Sequence, residues 1–456
     1  MRALLAIVLI ADSAAVLAAN TFGGDFAHTA ARVLFVALCL LGMRTSSLRE
    51  VLLFLASLIL AAILWQDPEH HAALFIAIDL AAYFAAFIAL LTALKLAAEN
   101  SQSVLAVGRY LTQQATGRRF VATATGGHIL GVFLNFAAVS LMAPLIQSTT
   151  RHSDGSIDHD LERRQMSALL RGFAWILLWA PTTLGQAVLL TLFTDIDHIK
   201  IICVGIATSL LMMGIGLAYD RFEWRNYTPP RTEDAPPKWP STALVRLGCV
   251  CATLIGATAV LQITMGFSTA LSLMFVAPLV TMVWFTWQKP KDLPLTRQLT
   301  SFWEALKADA AGLTRSAIAL GLSGFIGRAV AEVLPLAEMS QHIDLAAIPG
   351  WLFLAVLPIL ITLGGQIALS PIILVVFIGQ VVQTFPTLPA DPTHIVFALS
   401  AGWAISMFAS PNATATLLIA AASKIPPTTL TWRWNLRYGA ICYVVLVGIF
   451  ALLEAA

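Results

Sequence analysis

Long apolar runs alternate with short polar segments along the 456 residues of the chain. A helix of roughly 20 apolar residues crosses a hydrocarbon layer about 30 Å thick, and eleven runs are candidates for such a span. They lie at 3–19, 30–43, 50–65, 73–94, 165–193, 201–219, 243–263, 267–287, 312–336, 394–422 and 438–455. The pattern predicts an all-α polytopic membrane protein with about eleven transmembrane helices.

Two further apolar stretches, 119–147 and 349–381, are too long for one span and too short for two. Small or polar residues interrupt each stretch in its middle. The expected tips are Leu134, Asn135 and Phe136 in the first, and Gly364, Gly365 and Gln366 in the second. A helical arm of about 14 residues rises roughly 20 Å, which carries such a tip to mid-membrane. We therefore expect two re-entrant hairpins, enclosed by protein or by a water-filled cavity.

Composition supports a membrane protein and excludes a soluble enzyme. Apolar residues make up 58% of the chain and charged residues only 11%, where a soluble domain carries about 25% charged residues. The net charge of +2 gives no electrostatic reason to expect nucleic acid as a partner. The five cysteines all lie inside apolar runs, so we expect neither a disulfide framework nor a metal site.

The basic residues predict the orientation of the chain, because cytoplasmic loops near spans are enriched in Lys and Arg. With the N-terminus inside and the C-terminus outside, only Arg32, Lys200 and Arg328 of the 27 basic residues fall outside cytoplasmic segments. Hairpin 119–147 then enters from the cytoplasm and hairpin 349–381 from the outside. We expect an integral plasma membrane protein, such as one of a bacterial inner membrane. Residues 1–29 hold either a first span or a signal-like segment, and cleavage stays open.

An internal repeat links the two hairpins. Segments 172–181 and 402–411 both begin with glycine and end with proline, 230 residues apart at each end (402 − 172 and 411 − 181). Each follows one hairpin, and the hairpins enter from opposite sides, which is the pattern of inverted-repeat transporters. The predicted organisation is repeat one at 30–219, a polar cytoplasmic linker at 220–242 and repeat two at 243–456.

The repeated spans contain breaks that predict a binding site. Proline removes a backbone donor in the middle of each span, and the neighbouring small polar residues favour unwinding. Freed amides and half-helix N-termini suit an anionic group, while carbonyls and hydroxyls suit a small cation. The predicted contacts at the breaks are Thr182, Thr183, Gln186, Ser410, Asn412 and Thr414. Those at the tips are Asn135, Phe136, Gly364, Gly365 and Gln366.

These motifs resemble the divalent anion:sodium symporter family of the ion transporter superfamily. Residues 134–144 resemble its Ser-Asn-Thr hairpin tip, and 180–186 and 410–414 resemble its Thr-Pro-Pro-Asn unwound motif. The resemblance implies eleven spans, two opposed hairpins, a homodimer formed by a scaffold, and an elevator motion of the hairpin domain. The first tip keeps only Asn135 of the family pattern and the second reads Gly-Gly-Gln. The coupling cation therefore stays open between sodium and a proton.

Few ionisable residues lie within the apolar segments, where a charge usually has a partner or a task. His128 in the first hairpin and Asp79 in the preceding span are candidates for proton coupling. For His128 the alternative is a hydrogen-bonded packing residue, and Asp79 is expected in the scaffold. Arg328 and Glu332 stand four residues apart on one helix face and predict an ion pair.

The prediction from sequence is a secondary active transporter that moves a small polar, anionic solute, such as a carboxylate or oxyanion. The expected partners are this solute, the lipid bilayer and a second copy of the chain, with no cofactor other than the coupling cation. The alternative is an integral membrane enzyme acting on a lipid-linked substrate. That class usually needs convergent acid, base or metal-binding residues, which the central segments do not offer.

Overall fold

The computed structural model describes residues 1–99, 101–151, 156–193, 196–227, 238–288, 294–334, 347–367, 369–385 and 387–455. The regular secondary structure within these ranges is helical, and one isolated bridge joins Arg151 and Ile157. The helices are α1 (Arg2–Phe22), α2 (Asp25–Gly42), α3 (Leu48–Gln66), α4 (His71–Glu99), α5 (Gln102–Thr112), α6 (Thr116–Leu134), α7 (Phe136–Thr150), α8 (His159–Ala174), α9 (Leu184–Leu192), α10 (His198–Glu223), α11 (Ser241–Met265), α12 (Thr269–Trp287), α13 (Leu295–Val333), α14 (Gly350–Gln366), α15 (Pro371–Gln383), α16 (Pro392–Ala409), α17 (Thr414–Ser423) and α18 (Leu436–Ala455).

The protein is an all-α integral membrane protein. Among the described residues, 10 helical segments are long and apolar enough to cross a membrane. They are Arg2–Phe22, Asp25–Thr45, Leu48–Gln66, Pro68–Ala98, His198–Glu223, Ser241–Met265, Thr269–Trp287, Leu295–Val333, Pro392–Ser423 and Leu436–Ala455. Each coincides with one of the eleven runs predicted from sequence.

The remaining run, 165–193, does not form one continuous helix. It divides into the end of α8, a short 3₁₀ segment at Trp175–Leu178, a break, and α9. The break predicted in this span is therefore present in the structure. The reason is local, since proline lacks the N–H that would continue the helical ladder and Pro181 lies three residues after the 3₁₀ segment ends.

The first predicted hairpin turns at the expected residue. Helix α6 ends at Leu134 and α7 begins at Phe136, so Asn135 alone forms the tip, with φ 52. Asparagine tolerates positive φ better than most residues, although such a conformation still costs energy. A methyl group placed on Gly126 in α6 would lie 3.4 Å from the side chain of Met142 in α7, so the two arms run back along each other.

The second hairpin turns later than predicted. Helix α14 continues through Gly364 and Gly365 to Gln366, and α15 begins at Pro371 with Ser370 as its N-cap. The prediction that Gly364, Gly365 and Gln366 form the tip is therefore wrong by a few residues. Ser370 is held extended by the following proline, and proline is favoured in the first turn of a helix. This Ser-Pro step, rather than the glycines, fixes where α15 starts.

The helices form two groups that face each other. The scaffold group comprises α1–α4 and α11–α13, in which α4 and α13 pack along each other. The hairpin group comprises α6–α10 and α14–α18, and its centre is α16, which is buried from Thr393 to Ala409. The groups meet where α13 packs on α15, α12 on α9 and α4 on α7. The scaffold ion pair predicted between Arg328 and Glu332 is present at 3.1 Å.

Two glycines let each interrupted span approach its hairpin. A methyl group on Gly172 in α8 would collide with the backbone of Ala124 in α6. A methyl group on Gly402 in α16 would lie 2.7 Å from Cα of Pro358 in α14. Gly172 and Gly402 are the first residues of the two repeated segments. The repeat in sequence therefore corresponds to the same close contact, between an interrupted span and a hairpin helix, in both halves of the chain.

We predict that Gly172→Ala destabilises the protein. The added methyl group meets backbone that cannot move without separating α6 from α8, and overpacking of this kind costs about 1–3 kcal/mol. The measurement is the thermal unfolding temperature of the purified variant in detergent. The control is Gly214→Ala in α10, where a methyl group meets nothing within 4 Å. Equal unfolding temperatures for the two variants would contradict the close packing described above.

Candidate functional site

The two interrupted spans break in the same turn. The N–H of Thr183 donates to the carbonyl of Ala180 at 3.0 Å, and the N–H of Ala413 donates to that of Ser410 at 3.2 Å. Each turn carries proline at its second position, where its fixed φ is favoured. Helices α9 and α17 then begin 230 residues apart (414 − 184), the offset found in the sequence.

A cavity of about 480 Å³ lies between the scaffold group and the hairpin group. Its polar side chains include Asn135, Ser140, Thr182, Ser323, Ser370 and Thr414. Its apolar part contains ten leucine or isoleucine side chains and the ring of Phe136. The cavity is large enough for a small organic molecule, and its mixed lining suits one that carries both a polar group and a hydrocarbon body.

Three helix N-termini converge on this cavity. Phe136 and Ala137 belong to the first turn of α7, Ser370 is the N-cap of α15, and Thr414 is the first residue of α17; all four residues line the cavity. First-turn amides have no acceptor within their own helix, and the helix dipole adds partial positive charge at this end. Helix N-termini that face a cavity are favourable positions for an anionic group.

The Asn135 side chain is the central polar group at the first tip. Its main chain is engaged, because its N–H donates to Gly131 at 2.8 Å and its carbonyl accepts from Ala138 at 3.0 Å. Its side-chain amide forms no hydrogen bond with a residue in the described ranges, and the residue is half-buried against the cavity. An amide in this position can donate to an oxyanion and accept from a second group.

Threonine and glutamine side chains at the first break hold the backbone. The Thr182 hydroxyl donates to the carbonyl of Val132, which ties the break to α6 beside the tip. Thr183 caps α9, since its hydroxyl accepts from the N–H of Gln186. The Gln186 amide donates to the Leu177 carbonyl at 2.8 Å and to the Ser400 hydroxyl at 2.9 Å. Of these residues, only Thr182 lines the cavity.

The C-terminal end of α14 and the second break form a closed hydrogen-bonded cluster. The Ser410 hydroxyl and the Asn412 amide both donate to the carbonyl of Gly365, at 2.7 and 3.0 Å. The Gln366 amide donates to the carbonyl of Ala409 at 3.3 Å, and its side-chain oxygen accepts from the indole of Trp432 at 2.9 Å. A cation bound here would need the carbonyl oxygen of Gly365 as a ligand. That oxygen instead accepts hydrogen bonds from protein N–H and O–H groups.

The structure therefore divides the predicted site residues into two sets. Asn135, Phe136, Thr182 and Thr414 line the cavity, whereas Thr183, Gln186, Gly364, Gly365, Gln366, Ser410 and Asn412 do not. Sequence reasoning missed nine polar lining residues, which are Ser47, Arg49, Glu50, Ser140, Asp309, Arg315, Ser316, Ser323 and Ser370. Ser370 could have been found from its N-cap position before Pro371, while Ser140 and Ser323 carry no local signal because serines inside helices usually bond their own backbone.

His128 joins the first hairpin to the first interrupted span. Its Nδ1 lies 2.9 Å from the carbonyl of Gly172, and its Nε2 lies 3.2 Å from Nε1 of Trp179. A carbonyl only accepts and an indole only donates, so Nδ1 carries the proton and Nε2 accepts. Both nitrogens of a neutral ring are thus engaged. Proton coupling through His128 stays a prediction, and the geometry describes a residue that holds the span.

Asp79 lies in the scaffold group, as expected. Its carboxylate accepts two hydrogen bonds from the guanidinium of Arg32, at 2.7 and 2.6 Å, and His28 lies 3.4 Å away. The residue does not line the cavity. A bidentate pair of this kind fixes helix α2 against α4, and a role in proton coupling stays a prediction.

Comparison with solved structures identifies the fold. The chain superposes on the YdaH transporter of Alcanivorax borkumensis with a TM-score of 0.57 at 14% identity, covering 89% of this chain and 98% of that one. It superposes equally well, with a TM-score of 0.57 at 12% identity, on MtrF of Neisseria gonorrhoeae, described in connection with a class of antimetabolite efflux pumps. The coverage is 90% of this chain and 96% of MtrF.

The comparisons give the chain a transporter fold, but they do not give it a family. Both neighbours are described as transporters or efflux pumps and neither as an enzyme. No protein-family model matches the chain, and no curated protein matches it in sequence. The resemblance to divalent anion:sodium symporters is thus supported only in so far as the chain shares its fold with proteins described as transporters or efflux pumps.

We predict that the same isosteric substitution lowers the stability of the protein at Asn412 but not at Asn135. Asn412→Asp replaces a donor that faces the carbonyls of Gly365 and Gln366 by a charged acceptor, so it lowers stability by about 1–3 kcal/mol. Asn135→Asp changes a side chain that faces the cavity and leaves the unfolding temperature close to that of the parent protein. The measurement is thermal unfolding of both variants in detergent. A larger loss for Asn135→Asp would reverse the two assignments.

Proposed function

We propose that the protein is a secondary active transporter of organic anions, in which the anionic group binds at the N-termini of α7, α15 and α17. The observation that carries the proposal is the convergence of these three termini on one cavity with Asn135, Thr182, Ser370 and Thr414. Binding to main-chain amides suits a carboxylate, sulfonate or inorganic oxyanion. The alternative of a membrane enzyme has no comparable support, because both structural neighbours are described as transporters or efflux pumps.

The apolar lining refines the predicted solute. A small, fully polar dicarboxylate would leave the leucine and isoleucine side chains of the cavity without a partner. An anion with a hydrocarbon body instead fills the space beside Phe136 and Ile372, and burial of that body contributes about 25 cal/mol per Å². We therefore propose a monoanionic or dianionic amphipathic solute of modest size.

Alternating access by an elevator motion is the proposed mechanism. The cavity lies on the boundary between the two helix groups, so a displacement of the hairpin group along the scaffold would carry the bound anion with it. Hydrogen bonds within the hairpin group, such as those from Ser410 and Asn412 to Gly365, support its movement as one body. Membership of the divalent anion:sodium symporter family, sodium or proton coupling, a homodimer and the direction of transport stay predictions.

The first test is solute-dependent thermal stabilisation of the purified protein. We expect stabilisation by amphipathic carboxylates or sulfonates, such as phenylacetate or toluenesulfonate, and none by the uncharged phenylacetamide. A ligand present at 100 times its Kd stabilises a protein by about 2.7 kcal/mol. The panel includes succinate, sulfate and phosphate, and it is repeated with and without sodium and at two pH values. Stabilisation by the neutral amide equal to that by the anion would overturn the anion proposal.

The Asn135→Gly variant assigns the binding to the first tip. Glycine accepts positive φ without strain, so this variant removes the amide without disturbing the tip, whereas alanine would add strain. We expect weaker binding of the anion by about five- to tenfold, the equivalent of one lost hydrogen bond. The control is Asn20→Gly in α1, because Asn20 bonds only its own helix. Unchanged affinity in Asn135→Gly would remove the amide from the site.

A cross-linking experiment tests the motion. Gly327 in α13 lies against Val376 in α15, at 2.7 Å from a methyl group placed on the glycine to Cγ1 of the valine. This contact joins the two helix groups. Mercuric cross-linking of cysteines at these two positions should stop transport of the bound anion in proteoliposomes, and excess thiol should restore it.

The matched control pair lies within one helix group. Gly364 in α14 packs on the side chain of Leu374 in α15, so both members of this pair would move together. Cross-linking Gly364→Cys to Leu374→Cys should leave transport active. Inhibition by both cross-links, or by neither, argues against the relative motion of the two groups.

A further inference from the structure

Two arginines line the cavity on its scaffold side. Arg49 is the second residue of α3, and Arg315 lies on α13 next to Ser316, which also lines the cavity. Both arginines are exposed. The same face of α13 continues through Ala319 to the buried Ser323, so the guanidinium groups mark the open end of a path that leads inward.

Neither guanidinium is used within the described part of the chain. No hydrogen bond, ion pair or aromatic ring contact joins Arg49 or Arg315 to a described residue, whereas Arg32, Arg163, Arg164 and Arg328 all form ion pairs. A guanidinium carries five N–H donors in a planar fork that matches carboxylates and other oxyanions. These two arginines therefore present unused donors to the cavity.

Two carboxylates share this end of the cavity, and they differ from the arginines in exposure. Glu50 is buried, and one of its oxygens accepts from both the N–H and the hydroxyl of Ser47, which closes the capping box of α3. Asp309 is half-buried on α13, one and a half turns before Arg315. The two guanidinium groups are thus the more exposed charges at this end of the cavity, and Asp309 opposes their field.

The position of Arg49 is not explained by helix stability. A cation in the first turn of a helix faces the positive end of the dipole and is unfavourable there. Cytoplasmic loops are enriched in positive charge, which is a general reason for arginine near a span. Arginines that do not line a cavity meet this requirement equally well. Arg297 is such a residue. It lies near the start of α13, the helix that carries Arg315, and it is exposed but outside the cavity lining.

We infer that Arg49 and Arg315 form a cationic mouth, a site on the scaffold that attracts anionic solutes and selects against cationic ones. The inference rests on the proposed function in so far as the cavity is the path of the solute. A solute then meets two positive layers in turn: the guanidinium groups at the mouth and the helix N-termini at the tip. Fields of this kind raise association rates by about 10- to 1,000-fold at low ionic strength.

The test measures the electrostatic field at the mouth without requiring a known solute. Ser316→Cys is placed in a background whose five native cysteines are replaced by alanine. The rates of modification by the anionic sulfonatoethyl and the cationic trimethylammonioethyl methanethiosulfonates are compared. We expect the ratio of anionic to cationic rates to fall about fivefold in Arg315→Gln and further in the double variant with Arg49→Gln. The effect should shrink at about 1 M salt, where charges are screened beyond roughly 3 Å.

Three variants sharpen the result. Arg297→Gln removes the same charge from the same helix and should leave the ratio unchanged, whereas Asp309→Asn should raise it. Ser140→Cys places the reporter on α7, on the opposite wall of the cavity, and serves if Ser316→Cys does not fold. Equal ratios in Arg315→Gln, Arg49→Gln and the parent would overturn the inference.

This outcome is separable from the proposed function. If no anion stabilises the protein but the ratio falls as expected, the cationic mouth stands and the proposed transport of organic anions fails. If an anion binds but the ratio of reagent rates is unchanged, the proposed binding at the helix N-termini stands and the cationic mouth fails. If the ratio falls in Arg315→Gln, the variant Arg315→Lys, which keeps the charge and loses the planar fork, should keep the ratio of reagent rates close to that of the parent.

Discussion

Every main-chain N–H and C=O group in the interior of a membrane must find a partner, because lipid offers none. A helix that breaks there exposes several such groups at once, and the surrounding protein has to receive them. The structure meets this demand by setting each break against a hairpin. Thr182 bonds the carbonyl of Val132 at the first break, and Ser410 and Asn412 bond that of Gly365 at the second. The hairpins and the interrupted spans are therefore one structural unit, and the remaining helices enclose it.

The two halves of the unit share a backbone plan but use it differently. In the second half, the carbonyl of Gly365 near the end of α14 is saturated by the Ser410 hydroxyl and the Asn412 amide of the break. The first tip keeps the side-chain amide of Asn135 facing the cavity, at the end of a backbone held at positive φ. One half thus acts as a closed joint between α14 and the broken span, and the other supplies the open polar surface. The N-termini of α15 and α17 nevertheless reach the same cavity, so both halves contribute their helix dipoles.

The charge distribution follows the same logic at a larger scale. Partial charges of the main chain suffice at the tip, where a full charge would be costly to bury. Whole charges are placed at the open end, where Arg49 and Arg315 remain solvated. Some full charges in the described spans are paired, as in the contact of Asp79 with Arg32, and pairing of that kind holds scaffold helices together. An anion passing inward would exchange solvated guanidinium partners for oriented amides without ever lying in bare hydrocarbon.

The order of apolar runs, the first tip at Asn135, the two prolines of the breaks and the repeat of glycine before proline were all predictable from the sequence. Each rests on a local rule: span length, backbone preference or a missing N–H. The second tip was misplaced because two glycines suggested a turn, while the Ser370-Pro371 step decided it. Only the tertiary structure could tell which polar residues line the cavity and which hold the breaks. Asn135 and Asn412 look alike in sequence, and their roles differ because a hydrogen-bond partner 47 residues away in the chain is available to one and not to the other. Arg49 and Arg315, 266 positions apart (315 − 49), meet the same space only because α3 and α13 pack together.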